Sequence, residues 1–325
     1  MNTRAPRSSG TGVAVKRCAL DVGGMRRTYW LARSPGGQPG SPGERAGSPG
    51  ERAGSPGGRV PLLMVLHGSG GTGRDMASPA FTGLATRGPT AGVTVVFPDG
   101  WRGVWHVTGA PPGQPDLDDA AFLRALTSHL QGAAAPRPVF LAGLSNGGGF
   151  AEHVARHGLL PLAGLFVVSG TIREASRQAA PVPAQRTAMT LMAGTADPVV
   201  AYHGGPLRAR GVAGWILRRR AARHGDLPSQ RRTVAVETVA RDWAAGNGIT
   251  GEPDSVLLPG QGGDPPAVRL TWSAPGCPPV VLYRIEGGGH GWPGGSRSGP
   301  AAVFGRVPRH LDASEILLDM MAASS

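Results

Sequence analysis

One serine in this chain stands in the setting that nucleophilic chemistry requires. It is Ser145, in Gly143-Leu144-Ser145-Asn146-Gly147, directly after an apolar run at residues 139–142 and directly before a helical pattern at residues 150–157. A serine on a sharp strand-to-helix turn is held with its hydroxyl exposed, and the amides that open the helix point at any oxyanion formed beside it. A neutral hydroxyl is a weak nucleophile, so the chemistry also needs a histidine base and an acid that orients it. On such a turn the partners follow later in the chain, acid first and then histidine, each on a loop after a strand.

Asp197, in Gly194-Thr195-Ala196-Asp197-Pro198, and His290, in Gly287-Gly288-Gly289-His290-Gly291, meet that requirement. Asp226 and Asp254 lie in polar stretches with no strand before them, and Asp242 falls in a helical pattern. No other histidine combines a late position with a glycine-rich loop after a strand. The N–H of Asn146 is one expected oxyanion donor. The second is expected from the loop Leu66-His67-Gly68-Ser69-Gly70, with Ser69 as first choice and Gly70 as its neighbour. Trp101, Trp105 and Trp292 lie near these segments and are expected to line an acyl or sugar subsite, with core packing as the competing reading.

Other chemistries fit less well. Residues 68–73 spell GxGxxG, which could cradle a pyrophosphate in a dinucleotide-binding oxidoreductase. Pro79 and Gly83 interrupt the helix that should follow, and Asp99 lies beyond the usual spacing. Arg74 and Asp75 stand where a P-loop needs Lys and Ser or Thr. His153 and His157 have the spacing of two metal ligands on a helix, without an apparent third, so neither a metal nor another cofactor is expected. The net charge of +12 raises a basic, polyanion-binding protein, whose surface would be residues 208–232. Lys16 is the only lysine among 33 basic residues, a bias that fits base composition as well as phosphate contacts, and no nucleic-acid partner is expected.

Elements must position the serine, acid and histidine. Strand-like runs lie at residues 25–32, 60–66, 92–97, 139–142, 164–169, 187–193, 268–272 and 280–285, the second of them continuously apolar. Helical patterns lie between several of them. Asp116 is the expected cap of a helix with Phe122, Ala125, Leu126 and Leu130 on one face, and Asp312 and Glu315 have capping-box spacing before a final helix. The alternation implies an α/β fold with a mostly parallel sheet. Gly and Pro make about a quarter of the 325 residues, concentrated in the repeat GSPGERA within residues 34–58. That segment is expected to be a disordered insertion in a single catalytic domain spanning residues 1–325, as are residues 1–12 at the start, with a further Arg-rich insertion at about residues 204–232. No apolar run is long enough to span a membrane, and the first residues show no secretory leader, which leads to an expected cytoplasmic location. Cys18 and Cys277 allow at most one bridge.

With these residues in place, the chain resembles the esterase family of poly(3-hydroxybutyrate) depolymerases, LpqC-type proteins and feruloyl or acetylxylan esterases. The resemblance rests on LHGSGG at Leu66, FPDG at Phe97, DDAAFLRAL at Asp118, AGLSNGG at Ala142, GTADPVV at Gly194, WAAGNG at Trp243 and GGGHGWPGG at Gly287, in the family's order over residues 25–295. It implies an α/β-hydrolase fold and a metal-independent serine esterase with Ser145, Asp197 and His290 as its triad. The implied substrates are hydroxyalkanoate, feruloyl, acetylated-sugar or simple short-chain esters, small or oligomeric. Members are often secreted, which makes an extracellular location the alternative. Relatives commonly carry a cysteine where Ile249 stands, bridged to one near Cys277, so the resemblance also implies that this bridge is missing. Only about thirty residues follow Trp292, which leads to an expectation of soluble substrates rather than insoluble polymer.

Overall fold

A computed structural model describes residues 13–34, 60–107, 117–132, 136–207, 232–295 and 301–324. The expected disordered start, nearly all of the repeat and residues 208–231 of the Arg-rich segment lie outside these residues, as does Asp116.

The chain opens with a hairpin, β1 (Val15–Val22) and β2 (Met25–Ala32), turned at Gly23 and Gly24, whose φ angles of 57° and 75° are open to glycine without strain. There follow β3 (Leu62–Leu66), the single turn α1 (Gly73–Met76), α2 (Leu84–Thr90), β4 (Thr94–Pro98), α3 (Asp119–Gln131), β5 (Val139–Leu144), α4 (Asn146–Arg156) and β6 (Gly164–Val168). After them come α5 (Glu174–Ala179), β7 (Ala188–Gly194), the short pair β8 (Gly205–Pro206) and β9 (Arg232–Thr233), α6 (Val236–Gly246), β10 (Asp254–Leu258), β11 (Ala267–Trp272), β12 (Val280–Ile285), α7 (Ala301–Phe304) and α8 (Ala313–Ala323).

Ten strands form one sheet in the order β1-β2-β4-β3-β5-β6-β7-β12-β11-β10. The run from β4 to β12 is parallel, and antiparallel strands extend it at both edges. The central strands β3 to β7 are buried at every position, as strands covered on both faces must be. Alternate residues split between two apolar layers. Leu62, Met64 and Leu141 pack with Phe122, Phe150 and Trp243 of α3, α4 and α6. Leu63, Val65 and Phe140 pack with Leu84 of α2 and Leu317 and Met321 of α8 on the other face. A mostly parallel sheet between helices is therefore the architecture, as the alternation of patterns implies.

Two local expectations are corrected. The first side-chain cap of α3 is Asp118, whose carboxylate accepts from Ala121 N–H at 2.8 Å, so the helix begins later than an Asp116 cap would place it. Asp312 does cap α8, accepting from the N–H groups of Ser314 and Glu315. The reciprocal half of the capping box is replaced by an ion pair, with the Glu315 carboxylate 3.9 Å from Arg87. No helix among the described residues is long and apolar enough to cross a membrane.

Candidate active site

Ser145 lies between β5 and α4 with φ 55° and ψ −118°, a backbone conformation that a non-glycine residue adopts only under strain. The surroundings enforce it. A Cβ at Gly143 would sit 2.4 Å from Gly147, and one at Gly147 would sit 2.5 Å from the His67 carbonyl, so strand, turn and the β3 loop meet at a distance only glycine permits. Ser145 N–H donates to Val168 O at the end of β6 (2.9 Å), and Ser145 O accepts the first helical bond, from Gly149.

The acid and histidine lie on adjoining loops at the C-terminal ends of β7 and β12, which pair in parallel. Asp197 Oδ1 accepts from the N–H groups of Val199 (2.7 Å) and Val200 (2.9 Å). Oδ2 is thereby turned to His290 Nδ1, 2.7 Å away. A carboxylate can only accept from the ring, so Nδ1 carries the proton and Nε2 is left with its lone pair. Both side chains are largely buried, His290 at 9% exposure and Asp197 at 2%. Thr195 Oγ accepts from Gly287 N–H at 2.8 Å, and a Cβ at Gly194 would lie 2.2 Å from Gly288 O, so the two loops are pressed together.

Sequence reasoning missed a second support for the histidine loop. Residues 304–306 run along it: His290 N–H donates to Phe304 O (2.6 Å), Gly289 N–H donates to Arg306 O (2.7 Å), and the Phe304 ring stacks beside the imidazole with centroids 6.3 Å apart. These are mainly backbone bonds, for which no residue type is required. Among the described residues no hydrogen bond joins Ser145 Oγ to the His290 ring. In unliganded sites this contact is often open and closes when substrate binds.

The loop after β3 lies against the serine: a Cβ at Gly68 would be 3.3 Å from Ser145 Cβ. Gly70 N–H is engaged by Gly103 O at 2.7 Å, which leaves the Ser69 N–H without an acceptor among the described residues. His67 braces this loop from inside the core. Its Nε2 accepts from Gly100 N–H at 2.9 Å, so the proton is on Nδ1, which donates to Gly68 O at 2.8 Å. Burial pushes its pKa down, in keeping with a neutral ring. Asn146 is the first residue of α4, where N–H groups have no partner within the helix. Its side chain is occupied elsewhere, accepting from Trp105 N–H (2.8 Å) and donating to Trp105 O (3.0 Å).

The same bonds correct the dinucleotide reading of residues 68–73. Gly70 N–H goes to Gly103, Gly71 N–H to Gly68 O, and Gly73 N–H to Asp99 Oδ1, so the amides that would cradle a pyrophosphate bind the protein itself, and α1 is one turn long.

Two of the three tryptophans are also corrected. Trp105 is fully buried, stacks on Phe150 and donates from its indole to His67 O. Trp292 is buried against Phe166, with its indole N–H on Ser314 Oγ. Both are core residues that support the loops from behind. Trp101 alone is half-exposed, in a single 3-10 turn at Trp101–Gly103 whose Arg102 guanidinium lies over its ring.

His153 and His157 converge on a serine. Ser176 Oγ is 2.6 Å from His153 Nδ1 and 3.1 Å from His157 Nε2. Among the described residues no group of three or more His, Cys, Asp or Glu side chains could hold a metal ion. Cys18 and Cys277 are both free, and Ile249 is buried.

No protein-family model matches the chain. A protein described as the putative esterase NocK, from Nocardia uniformis subsp. tsuyamanensis, is 28% identical over 311 residues, covering 92% of this chain and 80% of that protein. Among solved structures, an acetyl xylan esterase from Aspergillus awamori superposes with a TM-score of 0.50 at 13% identity, over 85% of this chain and 94% of that one. The parallel sheet, the strained serine turn after its β5 strand and this superposition lead to one conclusion about architecture: the chain has the α/β-hydrolase fold.

Proposed function

We propose that this protein is a serine carboxylic-ester hydrolase with Ser145 as nucleophile, His290 as base and Asp197 as the acid that orients it. The observation that carries the reading is the strained Ser145 turn on the strand next to β6, together with a His290–Asp197 pair at 2.7 Å on the adjoining loops. Ser145 Oγ attacks the ester carbonyl carbon as its proton passes to His290 Nε2. The negative charge that develops on the carbonyl oxygen is held by the N–H groups of Asn146 and Ser69. The tetrahedral species collapses with loss of the alcohol, which takes the proton from His290. Water, deprotonated by the same nitrogen, then attacks the acyl-serine and releases the carboxylic acid, returning the proton to Ser145. Every proton in this cycle moves through His290, and no step calls for a metal.

The proposed substrates are soluble short-chain or oligomeric esters of the hydroxyalkanoate, feruloyl and acetylated-sugar kind. The sequence resemblance supports this class, and the name of NocK, a putative esterase, supports ester hydrolysis. The test is a p-nitrophenyl ester chain-length series run beside methyl ferulate, acetylated xylan and hydroxybutyrate oligomers, with and without EDTA. Turnover of at least one of these esters, unaffected by chelation, is expected. Absence of hydrolysis across the panel, or activity removed by EDTA and restored by zinc, would overturn the proposal.

A further inference from the structure

Ser145 and His290 belong to distant parts of the chain, and two consecutive residues, Val168 and Ser169, bond to Ser145 and to the neighbour of His290. Val168 O accepts from Ser145 N–H at 2.9 Å. The next residue, Ser169, points its hydroxyl at the residue after the histidine: Oγ donates to Gly291 O at 3.1 Å and accepts from Gly291 N–H at 3.2 Å. Ser169 N–H is itself fixed to Met192 O of β7 at 2.8 Å. The hydroxyl is buried, at 4% residue exposure, so water does not compete for these bonds.

The backbone says why a serine at this position is informative. Ser169 has φ 46°, one of three non-glycine residues among those described with positive φ, and Ser145 is another. The turn is needed because Gly170 tucks beneath the nucleophile, where a Cβ would lie 2.6 Å from Ser145 O. Glycine meets a left-handed turn without strain, whereas an L-residue there is strained. What serine adds over glycine is the hydroxyl, and the hydroxyl is spent entirely on Gly291.

We infer that Ser169 is a positioning residue for ester hydrolysis, a latch that sets the His290 loop against the nucleophile's strand and so fixes where Nε2 stands relative to Ser145 Oγ. This inference rests on the esterase reading above. The other supports of the histidine loop, Thr195, Asp197 and residues 304–306, tie it to β7 or to the C-terminal segment. Ser169 ties it to the strand end that also holds Ser145. Small displacements of reacting groups can cost about a hundredfold in rate.

The test compares Ser169→Gly and Ser169→Ala with the unmodified protein on two esters of one acid, a p-nitrophenyl ester and an ethyl ester. Ser169→Gly removes the hydroxyl but relieves the backbone, so its Tm should fall less than that of Ser169→Ala. Its kcat on the ethyl ester should fall by about tenfold or more with KM within about twofold. The loss should appear on the p-nitrophenyl ester as well, because acylation and deacylation of both esters pass a proton through His290 Nε2. Ser169→Ala should show the same kinetic pattern with a lower Tm. Unchanged kcat in Ser169→Gly on both esters, or a loss carried entirely by KM, would overturn the inference. Ser145→Ala, measured in parallel, separates the two claims: turnover by that variant sinks the esterase reading itself, whereas an inert Ser145→Ala beside a fully active Ser169→Gly sinks only the latch.

Discussion

Asp197 divides its two carboxylate oxygens between backbone and base. Oδ1 is held by Val199 and Val200 N–H, so Oδ2 has one orientation, toward His290. An asparagine would keep the Oδ1 bonds and place an N–H₂ group against the ring. That arrangement favours the imidazole tautomer with the proton on Nε2, the nitrogen that must accept one from Ser145. Asp197→Asn should therefore fold normally and lower kcat by about 10³ to 10⁴ with little change in KM. Steady-state kinetics on the best ester of the panel checks this, and near-normal kcat would mean that another group orients His290.

The element that makes the site is the junction of β3, β5 and α4, where three chain segments meet without side chains between them. Gly147→Ala places a methyl group 2.5 Å from His67 O and 2.8 Å from Leu66 O, both rigid backbone atoms of β3 and its loop. Overpacking of this kind costs about 1–3 kcal/mol. A thermal melt should show a fall in Tm of several degrees, with loss of activity in whatever remains folded, whereas an unchanged Tm would mean that the junction has slack.

This junction was legible because its signals are local: a continuous apolar run, a glycine-flanked serine and a helical pattern in direct succession. The strands at 25–32 and 280–285 likewise match β2 and β12, whose buried residues make apolar runs. Edge strands gave no such signal. β1 carries Lys16, Arg17 and Asp21 and half-buries only Cys18, Leu20 and Val22, and β10 is exposed along almost its whole length, so neither makes the continuous apolar run that marks a central strand. The two readings of Trp105 and Trp292 do not separate in sequence, because a tryptophan near a site looks the same there whether its ring faces substrate or core. The contacts of Ser169 with Gly291 and of Phe304 with His290 span 122 and 14 positions and depend on backbone groups, which leave no periodicity to read.

At the scale of the whole molecule, folding keeps two imidazoles away from protons. Burial lowers the pKa of His67, and burial, helped by the neighbouring His157 and Arg173, lowers that of His153 to about 4. An unfolded chain binds protons at these positions near pH 6.5. At His153 the folded state then holds fewer protons than the unfolded one between pH 6.5 and 4, so stability is full above that window and falls as pH drops through it, and His67 acts in the same direction. For His153 the loss is on the order of 2–3 kcal/mol at pH 4. Urea unfolding at pH 7, 5 and 4 should show the decline, and His153→Gln should flatten part of it. An identical decline in the variant would show that His153 is not a source of the acid sensitivity.

The central claim is that one serine of this chain becomes covalently acylated, and active-site labelling addresses it most directly. The protein is incubated with a fluorophosphonate probe, digested, and the modified peptide is mapped by mass spectrometry. A single adduct on Ser145 with parallel loss of ester hydrolysis is expected, and neither labelling nor turnover in a Ser145→Ala variant whose circular dichroism is unchanged. An adduct on a different serine, or ester turnover by the folded Ser145→Ala variant, would contradict it.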